Sequence, residues 1–210
     1  MTENFDFLKN LFKDSSDVQK TFGDIAKKLF NEYCIDCNGL EYYFAEIEFY
    51  YYDKENFNAE WNKRTYPRTD KKVGDLFFHY SGVDICFDSN FENGVFGGIL
   101  IRSLKDNQGK YITGPSVCML EILNACSKSK RMPKLVSTKK EKCDIGVPIE
   151  RYGIEYKDKS KDLPLCFYDK KLFEKYTSKD NCKEIFENAT WDYGNKRPKR
   201  ITRYYKRFCK

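Results

Sequence analysis

The sequence has one histidine, six prolines and no apolar stretch near the roughly 18–20 residues that a membrane-spanning helix needs. Zinc chemistry built on several imidazoles is therefore excluded, and Cys34-x-x-Cys37 has no second pair to complete a tetrahedral site. The nine cysteines are scattered and odd in number, so they do not read as the framework of a small disulfide-stapled domain. The opening residues, Met1 to Asp6, lack the basic and apolar regions of a secretion signal. No internal repeat or low-complexity linker interrupts the chain. The expectation is a single soluble domain over residues 1–210, cytoplasmic (nucleoid-associated if bacterial) and monomeric, with free thiols. Metal, cofactor, membrane contact and an obligate protein partner are not expected. What the chain does have is aromatic residues. With 17 Phe, 16 Tyr and 2 Trp among 40% hydrophobic residues, it can fill a core and is too apolar for a disordered chain.

The formal charge of +6 is unevenly spread. Residues 128–142 carry a net +6 and residues 196–210 a net +8, so the rest of the chain is acidic. In the last segment the charges interleave with aromatics: Lys199-Arg200-Ile201-Thr202-Arg203-Tyr204-Tyr205-Lys206-Arg207. As a strand, it would put Arg203, Tyr205 and Arg207 on one face, a surface suited to phosphates. A solvated charged face is the plain alternative for either run.

Periodicity predicts helices over residues 4–13 and 17–33, joined at Ser15-Ser16-Asp17. Their packing face would be Leu11, Phe12, Phe22, Ile25, Ala26, Leu29 and Phe30. Cys37-Asn38-Gly39 reads as a turn. The period becomes strand-like over Tyr42 to Tyr52, and residues 53–73 read as a long polar loop. Leu76 to Tyr80 and Val83 to Asp88, joined by Ser81-Gly82, read as a tight hairpin. Ile99 to Leu104 forms a third strand, and Pro115 to Ala125 a helix with proline in its first turn. Short strands follow Ser127, with one or two short helices over 169–188. Helices, then strands, then mixed elements argue an α+β fold.

Glu46 and Glu48 interrupt an aromatic strand. Period two puts Glu46, Glu48 and Tyr50 on one face and Ile47, Phe49 and Tyr51 on the other. Neighbouring carboxylates repel, and burying either requires a partner. Arg102 breaks the run Ile99-Leu100-Ile101, which reads as buried on both faces. A permanent cation there needs a carboxylate, and the Glu46/Glu48 face is the candidate. A carboxylate beside an arginine stays ionised and can orient and deprotonate water. The alternative is a half-exposed strand with a solvated acidic face. His79, flanked by Phe78 and Tyr80 at the hairpin turn, belongs to an element able to stack on a base or wedge between base pairs. A satisfied structural histidine is the alternative there.

Four motifs occur in order: Glu46-x-Glu48-x-Tyr50, Gly74-x-Leu76-Phe77-Phe78, Leu100-Ile101-Arg102-Ser103-Leu104 and Gly114-Pro115-Ser116. Over residues 42–125 the chain thereby resembles the alkyladenine (3-methyladenine) DNA glycosylase family. The resemblance implies a single mixed α/β domain with a curved, largely antiparallel sheet. N-terminal helices (1–38) would precede a catalytic core (40–125) with a protruding hairpin, followed by a basic C-terminal part (126–210) of the same domain. It implies a monofunctional hydrolase without metal or cofactor. Such an enzyme flips a modified or damaged base out of double-stranded DNA and cleaves its N-glycosidic bond, leaving an abasic site.

On this resemblance Glu48 activates water and Arg102 holds that water with it. Glu46, Tyr50, His79 and Asp88 line the base pocket, Tyr50 and His79 as the sandwiching rings. Tyr80 falls near the wedge, and Phe78, Arg68, Ser116, Lys199, Arg200 and Arg203 are the other expected DNA contacts. The chain departs from the family in several ways. The loop Asn56 to Trp61 lacks the family's usual histidine, the hairpin is shorter, histidine replaces tyrosine at 79, and aspartate replaces asparagine at 88. An aspartate there would accept a hydrogen bond from an exocyclic amine, so an amino-bearing or otherwise modified base is the expectation. Two other readings stand beside this one: a nucleic-acid-binding protein that keeps the fold without hydrolysis, and a nucleoside hydrolase, for which the basic tail has no use.

Overall fold

The structure, a computed structural model, describes residues 5–9, 18–53, 68, 70–87, 89, 91–92, 94–127, 131–139, 143–146 and 166–172. A 3-10 turn (Asp6–Leu8) precedes α1 (Val18–Glu32), β1 (Tyr33–Cys37) and β2 (Leu40–Asp53). Then come β3 (Leu76–His79), β4 (Gly82–Cys86), β5 (Val95–Asp106), β6 (Tyr111–Thr113), α2 (Pro115–Ser127), β7 (Lys134–Ser137) and β8 (Cys166–Tyr168). The strands run antiparallel in the order β3-β4-β5-β2-β1-β7, with β6 also pairing with β5 and β8 with β2. The sheet curls into a half-barrel, giving the mixed α+β architecture with a curved antiparallel sheet.

β2 and β5 are its long central strands, and alternation along them separates two faces. Ile47, Phe49 and Tyr51 of β2, with Ile99 and Ile101 of β5 and Val83 and Ile85 of β4, form a fully buried apolar face. Helix α1 lies on it. Phe22 stacks on Phe49 at 4.3 Å between centroids and meets Tyr51 edge-on at 5.9 Å. Each such side chain contributes about 1.5–3 kcal/mol by leaving water. The other face is covered at one end by α2, whose Cys118, Ile122 and Cys126 are buried. There the Tyr42 hydroxyl donates to Glu121 at 3.0 Å.

The helix expected over 4–13 is not what forms at its described residues. The 3-10 turn ends at Lys9, which is already extended, because Phe5 and Phe7 turn their rings onto Tyr33, at 6.0 and 4.9 Å. Leu11, Phe12 and Ser15 to Asp17 lie outside the described residues. The second helix stops at Glu32, and Tyr33 begins a strand that the helical pattern had concealed. A two-residue turn joins β1 to β2. Asn38 and Gly39 both adopt positive φ (59° and 87°), and the Gly39 N–H donates to Asp36 at 2.7 Å. Among the described residues no helix is long and apolar enough to cross a membrane.

Candidate active site

The polar residues gather on the face of the sheet opposite α1. Across the strands, Glu48 of β2 pairs with Leu100 of β5, Leu100 with Asp84 of β4, and Asp84 with Phe77 of β3. The next row is Tyr50, Gly98 and Cys86. Side chains two residues apart share a face, so Arg102 joins Glu48 from one end of the first row, and His79 joins Phe77 at the far edge.

Arg102 stands at an irregularity, where the β2–β5 register shifts between Phe44 and Glu46 and again between Glu46 and Ile47. Such bulges re-aim side chains. Here Ser103 comes opposite Glu46, and its hydroxyl donates to Glu46 at 3.0 Å. Arg102 Nη1 donates to Glu48 Oε2 in a close contact, and its Nε lies 3.0 Å from Glu46 Oε1 as an ionic contact without hydrogen-bond alignment. Glu46 and Glu48 are 5% and 1% exposed, whereas the Arg102 side chain retains 17%. Arg102 is thus the most exposed member of the cluster. Replacing a buried ion pair with apolar residues often leaves stability unchanged or raises it. Fold stability alone therefore gives no reason for three charges here.

A second charged group lies across Leu100. Arg68, expected from sequence to touch DNA, is instead 4% exposed. Its Nη2 makes a close contact with Asp84 Oδ2, and its guanidinium lies over the Phe77 ring at 5.2 Å. Gly98 leaves it room, since an added Cβ would stand 2.8 Å from Arg68 Cζ. A cation so paired and covered is withdrawn from phosphates, which corrects the expectation. His79 places Nε2 3.2 Å from the other Asp84 oxygen, while Nδ1 accepts the Ser81 N–H at 3.3 Å. Its ring lies roughly parallel to Phe77, with centroids 5.7 Å apart.

Glu46, Glu48, Tyr50, Arg102 and His79 are therefore brought onto one face. Tyr80, at the hairpin tip, is 96% exposed. Ser116 is exposed at the start of α2, with its hydroxyl 3.5 Å from the Ser81 carbonyl. The same approach seats Pro115 against Gly82, where an added Cβ would be 2.8 Å away. Phe78 departs from expectation. Alternation turns it away from Phe77 and His79, and it packs against the apolar core. Asp88, Lys199, Arg200 and Arg203 lie outside the described residues.

Asp84 was missed in the sequence, although it breaks Val83-x-Ile85 just as Arg102 breaks its own run. Cys86 shares the polar face, and burial pushes its thiol up to about 12, which disfavours the thiolate. Burial and Cys126 raise the Cys37 thiol as well. Among the described residues no group of three or more His, Cys, Asp or Glu side chains could hold a metal ion. Comparison of the sequence with protein-family models and with curated proteins gives no match.

Proposed function

We propose that the chain is a monofunctional DNA N-glycosylase, using Glu48 to direct water onto the sugar of a modified or damaged base flipped out of duplex DNA. The observation that carries this reading is the contact between Glu48 and Arg102 beside Glu46, on the same face as Tyr50. The motif order that resembles the alkyladenine DNA glycosylases supports it further. An N-glycosidic bond breaks through an oxocarbenium-like sugar, so its site must offer negative charge and an aligned water. Glu48 answers both needs. Arg102 balances its charge and, as the more exposed partner, presents a guanidinium edge to the incoming water. Glu46, held by Ser103, adds negative charge without sharing the water.

Base extrusion costs a few kcal/mol, least at damaged or mispaired positions. Tyr80, exposed at the hairpin tip, suits the role of filling the gap in the stack. The basic segments 128–142 and 196–210 suit the phosphates on either side. Glu48→Gln should abolish base release, by about a hundredfold or more, while duplex binding persists. Alkaline cleavage at abasic sites reads the first and a binding titration the second, and mass spectrometry of released bases names the substrate. The near-complete burial of Glu48 favours one rival, a nucleic-acid-binding protein that keeps the fold without hydrolysis. That rival predicts no abasic sites with either form.

A further inference from the structure

We infer that His79, clamped from behind by Asp84 and Arg68, positions the hairpin tip carrying Tyr80 and releases it on taking up a second proton. The inference rests on the proposed function only in assigning duplex DNA as the partner of that tip. Its Nδ1 accepts the Ser81 N–H at 3.3 Å and its Nε2 faces Asp84 Oδ1 at 3.2 Å. One neutral tautomer, with the proton on Nε2, suits both, the Asp84 contact being close but without hydrogen-bond alignment. Arg68 occupies the second Asp84 oxygen, and Phe77 and Gly98 enclose Arg68, so the carboxylate cannot turn away from the ring.

A side chain accepting the N–H two residues ahead is the device by which Asn and Asp lock tight turns; here an imidazole does it. Protonation turns Nδ1 from acceptor to donor. Two N–H groups then face each other, and the Ser81 amide must swing off. The imidazolium meanwhile pairs more strongly with Asp84. Among the described residues, the charged groups set against the ring are Asp84 from β4 and, through it, Arg68. Helix α2 adds the uncharged Ser116, at 3.5 Å from the Ser81 carbonyl. Acid therefore frees the tip while the cluster beneath it holds.

The test is amide NMR of the full chain across a pH series that follows the His79 ring signals. Ser81 protection, taken against the intrinsic exchange rate at each pH, should fall roughly tenfold, the worth of one neutral hydrogen bond, in step with the His79 ring signals. His79→Asn keeps the acceptor for Ser81 and should leave its amide protected at every pH. His79→Gln keeps the donor to Asp84 and should leave that amide exposed at every pH. A Ser81 amide indifferent to ring protonation would overturn the inference, as would a ring that takes no proton before the chain unfolds. A titrating Ser81 in His79→Asn would overturn it too. If Ser81 behaves as expected while no duplex binds, the switch stands and the DNA reading falls.

Discussion

Glu48 and Arg102 illustrate how much a single side chain depends on its partner. Arg102→Met would leave two buried carboxylates facing each other, and should cost about 3 kcal/mol, read as a lower urea midpoint. Replacing Glu46 and Glu48 by Leu in the same protein should restore most of that loss, because no charge is then stranded. If the triple variant stays as weak as the single one, the cluster is a structural keystone rather than a site kept for chemistry. These residues were legible because charge inside an apolar run is conspicuous. Arg68 was not, since in a polar loop one more cation carries no pattern, and only Gly98 and Asp84 reveal its burial. Phe78 and His79 are neighbours in sequence but face opposite sides of the sheet, a distinction that alternation alone could have drawn.

At the scale of elements, β5 owes its fit around Arg68 to a missing side chain. Gly98→Ala should displace the guanidinium and cost about 2 kcal/mol, typical of overpacking, in chemical denaturation. The β1–β2 hairpin makes a separate prediction at alkaline pH. The Tyr43 hydroxyl donates to Glu41, and that bond, with burial, lifts its phenol from 10 to about 12. Burial and Glu121 raise Tyr42 in the same direction. A raised phenol favours the neutral form, so this stability is full below pH 10 and is lost as pH climbs through 12. Absorbance at the phenolate band should therefore rise late in the native protein, and unfolding should become easier above pH 10. Helix α1, β2, the hairpin, β5 and α2 were all legible from period and turn residues. β1 was hidden because Tyr33 continues the apolar spacing of α1, and the β2–β5 irregularity arises from pairing between distant segments that local pattern does not report.

For the whole molecule, the uneven charge matters more than the total. Because two short segments hold a net +6 and +8 on an otherwise acidic chain, duplex affinity should depend steeply on salt. With about six phosphates neutralised, it should fall on the order of a thousandfold between 50 and 200 mM salt. A flat salt response would remove DNA as the partner. The α+β class was readable from element order, yet the assembly of the polar face was not. It needs Glu48, Leu100, Asp84 and Phe77 in one row across four strands, which is a property of register. The most direct measurement is base release from duplexes carrying a panel of modified bases, wild type beside Glu48→Gln, scored as abasic sites opened by alkali. The wild type should cleave at least one modified duplex and the variant none, with equal binding. Equal cleavage by both, or abasic sites from neither, would contradict the proposed function.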